Sequence, residues 1–330
     1  MFYALTSLGH EAVMVFFVLS GFFVGGSVMK QKHKFMWSAY SISRLTRLWL
    51  VLIPAILFTY IVDQIIQTLH PEVFAGSFSN IWASGPSKEN EYSRDLVTFL
   101  GNIFFQQTIV VSVFGSNSPL WSLANEFYYY FLFPVFLLLF GYFGKGNWAR
   151  RLLLGAFGLT VLILLPKGFA EGFVVFCMGA LISWFVNRGD VKNFSNKYLA
   201  TGGGVAFMFS ILLSKANISI SYISHDVLIG VGFSLFLATL VNSQLHLPLL
   251  RKGSAFLADI SFSLYLTHFP VVLLIASTCY GVNQIQPDAI GMLQFVGWLC
   301  SITLLAVVFW FLFERHTDQI RLKAMHLLSR

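Results

Sequence analysis

Apolar residues fall along this chain in blocks of about bilayer-crossing length, at residues 12–29, 48–66, 120–141, 150–166, 171–187, 198–214, 226–242, 256–278 and 290–313. A helix rising ~1.5 Å per residue needs about 20 apolar residues to cross ~30 Å of hydrocarbon, and none of the blocks has the roughly ten-residue alternation of a barrel strand. Helices satisfy their own backbone groups in lipid without closing into a barrel, so the pattern predicts an all-α, polytopic membrane bundle with nine spans. Composition agrees, because 57% hydrophobic residues and a mean hydropathy of +0.74 exceed what a soluble domain of 330 residues needs, and 11% charged residues fall well below its usual share. With no fixed-period repeat, low-complexity tract or flexible linker, residues 1–330 read as a single domain. The one long connection, about 67–119, carries Pro71, Gly85-Pro86 and mixed charges.

Lys and Arg orient such a bundle. Taking alternate connections, 17 of the 21 fall on one side, at 30–47, 142–151, 188–197, 243–255 and 314–330, while Lys88, Arg94, Lys167 and Lys215 fall on the other. The basic side is cytoplasmic, which puts the N-terminus outside and the C-terminus inside. Leu96–Phe114 tests this, being apolar but carrying Asn102, Gln106 and Gln107. As a further span it would leave 14 Lys and Arg outside and 7 inside, so it reads as a re-entrant or interfacial helix on the outer face. The formal charge of +7 is thus spread over short cytoplasmic loops and implies no nucleic-acid partner. Residues 1–11 carry no basic run and Lys30, Lys32 and Lys34 follow the first block, the pattern of an outward-facing anchor rather than a cleaved signal. Cys177, Cys279 and Cys300 lie in or at the ends of apolar blocks, in no metal-type spacing, and read as packing residues; no metal is expected.

Against this apolar background a few polar residues stand out. Glu126 lies in Pro119-Leu120-Trp121-Ser122-Leu123-Ala124-Asn125-Glu126, about six residues or roughly 9 Å below the outer face. An ionisable group in hydrocarbon costs roughly 2.5–3.5 kcal/mol on insertion scales, so it is kept where it is paired, wetted or used. His268 lies about 12 residues, roughly 18 Å, from the inner face, and Ser20 about eight residues from the outer one. Each has a plain structural alternative: an amide or arginine partner for Glu126, an interhelical hydrogen bond for a neutral His268, close helix packing for Ser20-Gly21, and an aromatic belt for Trp121. Arg44 and Arg47, three apart at the start of a helix, share a face and suit bidentate phosphate binding; the alternative is positive-inside charge touching anionic lipid.

These segments resemble the acyltransferase-3 family of integral membrane acyltransferases. Gly9-His10-Glu11-Ala12-Val13-Met14-Val15-Phe16-Phe17-Val18-Leu19-Ser20-Gly21-Phe22 is similar to its Val-x-x-Phe-Phe-Val-Leu-Ser-Gly-Phe helix, and Arg44-Leu45-Thr46-Arg47 to its Arg-x-x-Arg loop. Trp121-Ser122-Leu123 with Glu126, Tyr130 and Pro134 keeps its Trp-Ser-Leu-x-x-Glu spacing. Ser263-Leu264-Tyr265-Leu266-Thr267-His268-Phe269-Pro270 matches its Ser-x-Tyr-Leu-x-His-x-Pro segment, and Glu314-Arg315 its closing Glu-Arg. Five motifs in order, from residue 9 to 315, make the resemblance specific.

The resemblance implies a multi-pass protein of a bacterial cytoplasmic (inner) membrane that moves an acyl group, acetyl for choice, from acyl-coenzyme A to a hydroxyl of a surface glycan or lipid-linked saccharide. The donor is a substrate, with no permanently bound cofactor; membrane lipid is the remaining partner. Arg44 and Arg47 would grip the donor's phosphates. From this chain's own residues, with no family role carried onto His10, Glu126, His268 or His10 would serve as base, and Trp121, Ser122, Tyr130 and Tyr265 would hold substrate. The family's usual ten helices include a first one, with Leu-Arg-x-x-Ala and a closing His proposed as base, that has no counterpart here. His10 does not align with that histidine. The alternatives are a coding start upstream of Met1 and a chain without that base. A glycan or lipid transporter, or a non-catalytic membrane partner, are the rival readings, the first weakened by the absence of two related halves.

Overall fold

A computed structural model describes residues 7–76, 86, 92–143, 148–188, 197–216, 223–242, 248–281 and 283–328. Lys88, Lys145, Lys192 and Arg330, used in the charge count, and Gly85 of the long connection lie outside these residues. In chain order the helices are α1 (Gly9–Ser20), α2 (Gly26–Gln31), α3 (Trp37–Leu69), α4 (Leu96–Ile103), α5 (Leu120–Leu139), α6 (Trp148–Leu164), α7 (Lys167–Arg188), α8 (Lys197–Lys215), α9 (His225–Asn242), α10 (Pro248–Ile275), α11 (Ala289–Leu312) and α12 (Thr317–Leu328). Two wide π turns, Gly21–Gly25 and Ala276–Tyr280, continue α1 and α10. The described residues form helices and two isolated bridges, Ser93 with Phe114 and Gln107 with Val111.

All nine apolar blocks are helical. Six lie in helices long and apolar enough to cross a membrane, Gly9–Lys34, Trp37–Leu69, Leu120–Leu139, Gly168–Arg188, Lys252–Tyr280 and Ala289–Leu327. The other three form shorter apolar helices, Arg151–Leu164, Thr201–Lys215 and His225–Val241. Pro54, Pro134 and Pro270 stand inside long helices, where packing and neighbouring side chains compensate the lost backbone bond. The 33 residues of α3 would span ~50 Å, more than the hydrocarbon needs, so its polar first turns with Arg44 and Arg47 extend beyond the apolar block at 48–66.

The Leu96–Phe114 stretch departs from a single helix. Only Leu96–Ile103 is helical, about 12 Å long and too short to cross. Asp95 caps α4, its carboxylate accepting from the Thr98 N–H at 2.6 Å. Phe105 and Thr108 then take positive φ values, 59° and 67°, and the chain folds back on the buried Asn102. The Asn102 amide donates to the Thr98 and Ser112 carbonyls at 2.8 and 3.0 Å, and its oxygen accepts from the Phe114 N–H at 3.0 Å.

The helices gather into two compact units, each drawing on both parts of the sequence: Met1–Phe35 with Asn125–His246, and Met36–Ala124 with Leu247–Arg330. In unit one, α1 and its π turn run against α7 at very close range. A side chain on Gly21 would overlap the Phe176 carbonyl, and one on Gly179 the Val18 carbonyl, so both positions need glycine for the backbones to approach. Phe17, Tyr129, Phe133, Phe173 and Phe176 fill the space around this crossing. In unit two, α3 packs on α10 and α12, and α10 on α11. Cys177 is half-buried, but Cys279 and Cys300 are exposed, so those two do not pack inside the described fold.

Candidate active site

Within unit one, α5 sets Glu126 and Tyr130 one helical turn apart on the same face. Both side chains are buried, Glu126 at 4% exposure, and the Tyr130 hydroxyl donates to Glu126 Oε1. Ser20, the last residue of α1, turns its hydroxyl to the same pair, 3.3 Å from Glu126 Oε1 and 3.3 Å from the Tyr130 oxygen. Ser20-Gly21 therefore splits its roles: the glycine permits the close crossing with α7 and the serine hydroxyl enters the polar cluster. His10 stands elsewhere in the unit, at an exposed helix start, with Nε2 2.7 Å from Asp226 Oδ1. Next to it, buried Glu11 pairs with Lys215 at 2.9 Å.

Within unit two, the loop before α5 is tied to two helices. Asp63 of α3, fully buried, accepts from the Ser116 N–H at 2.9 Å, the Ser116 hydroxyl at 2.5 Å and the Tyr92 hydroxyl at 3.1 Å. Gly115 takes φ +58°, and a side chain there would strike the Asp63 carboxylate. The Asn117 amide donates to Thr59 Oγ1 at 3.0 Å and to the Leu266 carbonyl at 2.8 Å. One turn on, the Tyr265 hydroxyl donates to the Pro119 carbonyl at 2.8 Å and lies 2.6 Å from the Ser122 hydroxyl. The Ser122 hydroxyl also lies 3.3 Å from the Pro119 carbonyl, so the two hydroxyls and that carbonyl form one small cluster. Trp121 is half-buried at the start of α5.

His268, half-buried on α10, turns Nδ1 to the carbonyls of Leu264 and Tyr265, at 3.1 and 2.9 Å. Those carbonyls only accept, so Nδ1 carries the proton and Nε2 is left as the basic nitrogen. At the other end of the same motif, the Ser263 N–H and hydroxyl donate to Glu314 at 3.1 and 2.6 Å. Arg44 lies over the Tyr40 ring, 5.7 Å from its centroid. Among the described residues no three His, Cys, Asp or Glu side chains gather as a metal site would require.

A family model for the acyltransferase domain matches residues 1–315 of the 330. The chain belongs to the acyltransferase-3 family. No curated protein and no solved structure matches it. The apolar helices make this acyltransferase-family chain a multi-pass membrane protein.

The structure groups the acyltransferase candidates by unit. Glu126 and Tyr130 meet in unit one, which also holds the exposed His10 at the start of α1. Ser122 and Tyr265 meet in unit two, which also holds His268, Arg44, Arg47 and Trp121. Sequence reasoning passed over Asp63, Asn117 and the Ser263–Glu314 link. An available signal existed for Asp63, a carboxylate inside the block 48–66; none existed for Asn117, whose partners are remote in sequence.

Proposed function

We propose that this chain transfers an acyl group, most simply acetyl, from acyl-coenzyme A to a hydroxyl of a cell-surface or exported glycan, in a bacterial cytoplasmic membrane it crosses nine times with its N-terminus outside. The observation that carries the reading is the buried Glu126 carboxylate, held by Tyr130 and Ser20 among apolar helices where simple packing calls for no charge.

In the reaction the acceptor oxygen attacks the thioester carbonyl carbon and loses its proton to a base. The carbon–sulfur bond breaks, the thiolate leaves and takes up a proton, and an ester and a free thiol remain. His268 is the favoured base, because its Nδ1 is fixed by two backbone carbonyls and its Nε2 lone pair is available. His10 suits this role less, since its Nε2 already faces Asp226. Arg44 and Arg47, at the polar end of α3, suit the donor's phosphates. Trp121, Ser122 and Tyr265, all in unit two, supply an aromatic face and hydroxyls that suit a sugar acceptor, while Tyr130 acts in unit one by holding Glu126.

The test is transfer from radiolabelled acetyl-coenzyme A into surface polysaccharide by membranes carrying the chain. His268→Ala and Glu126→Gln are each expected to lower kcat by about 100-fold or more. Arg47→Ala should raise KM for the donor about tenfold while kcat holds. Full transfer by both His268→Ala and Glu126→Gln would sink the proposal.

A further inference from the structure

Unit one contains a cavity of about 500 Å³ that the acyl-transfer reading does not use. It lies where α2, α5 and α7 end, and its walls include Lys30, Lys32, Tyr142, Trp184, Asn187 and Arg188. Its size falls within the range of small-molecule sites. Three cations face it, and among the described residues lining it there is no carboxylate. The Arg188 guanidinium stands over the Trp184 ring, 4.5 Å from its centroid, which holds a planar fork of donors in place on an aromatic base. The Tyr142 hydroxyl, donating to the Met29 carbonyl at 3.1 Å, ties two further lining residues together.

Lys32 adds an independent observation. It ends α2 with φ 44° and ψ −118°, a left-handed backbone that side chains rarely adopt and that glycine would take without strain. Such strain is characteristic of places where a side chain is used rather than merely accommodated.

We propose that this cavity is a phosphate-binding site, taking a phosphate ester whose apolar or planar remainder lies against Trp184 and Tyr142. Lys30 and Lys32 supply point charges and Arg188 a bidentate grip. A nucleotide phosphate and the headgroup of an anionic lipid share this chemistry, and two probes separate them.

The purified chain in phosphatidylcholine nanodiscs is titrated with tritiated AMP. The same protein in nanodiscs containing phosphatidylglycerol is examined by native mass spectrometry for retained lipid. Lys32→Gly removes the charge while relieving the backbone, so it should fold at least as well as wild type; Arg188→Gln keeps most of the side-chain length. Saturable AMP binding that weakens about tenfold in each variant, and further with added salt, assigns a nucleotide site. Retained phosphatidylglycerol lost in both variants assigns a lipid headgroup. Failure of the wild type to hold either probe, or wild-type affinity in both variants, overturns the proposal.

Discussion

A carboxylate with no exposure survives in a membrane helix only if its oxygens are satisfied, and Asp63 is satisfied by three donors, two of them from Ser116. Those bonds fix the backbone two residues before the chain turns toward Trp121 and Ser122. Asp63→Ala would leave the Ser116 N–H and hydroxyl without an acceptor in a buried place, at a cost of about 3 kcal/mol. Thermal unfolding in detergent checks this, and Asp63→Asn, which keeps one acceptor oxygen, should fall between the two. Tyr92 lies outside the spans, and burial, then the Asp63 charge, pushes its hydroxyl well above the ordinary tyrosine value. It therefore stays protonated and keeps donating to Asp63 as the pH rises through 10. Glu126 stands out in sequence because it sits deep below the predicted outer face. Asp63 obeys the same rule more faintly, since it stands three residues from the end of its block, where a carboxylate also reads as interfacial.

Hydrophobic blocks identify helices because lipid forces each backbone to satisfy itself, and all nine blocks are helical for that reason. The same argument cannot find where α4 stops. Its end is made by side-chain bonds from Asn102 to residues 10 and 12 positions away, which no periodicity encodes. The α1–α7 crossing is partly legible, as glycine in a predicted span, but the facing Gly179 emerges only from geometry. Gly179→Leu would force the two backbones apart, costing about 3 kcal/mol, and should lower the yield of monodisperse protein far more than Gly202→Leu, where added atoms meet open space. The α4 cap predicts a pH effect. The Thr98 backbone N–H holds the Asp95 carboxyl below the usual carboxylate range, so its contribution is present above the unfolded value, about 3.9, and is lost as pH falls through the lower folded value. The protection of the Thr98 amide, taken relative to intrinsic exchange at each pH, should fall only below about pH 4.

Unit one has two chemically distinct ends, and these bear on topology. In unit one, the start of α1, the end of α8 and the start of α9 meet through the Glu11–Lys215 and His10–Asp226 pairs. The ends of α2, α5 and α7 meet around the cationic cavity. That is the alternation expected if α1 with its continuation, α8 and α9 each pass from one face to the other, including the two that are short for ~30 Å of hydrocarbon. Nine crossings and six differ in parity, and one experiment separates them. In a background with Cys177, Cys279 and Cys300 replaced by Ser, single cysteines are placed at Lys34, Ile223 and Lys323, all exposed. Intact cells are then treated with a membrane-impermeant maleimide. An outside N-terminus with nine crossings puts eight of them between Lys34 and Lys323, so both label only after permeabilisation while Ile223→Cys labels at once. Six crossings leave five between those lysines, and Lys323→Cys would label from outside. Labelling of Lys34→Cys in intact cells would reverse the orientation itself, against the bias of Lys and Arg.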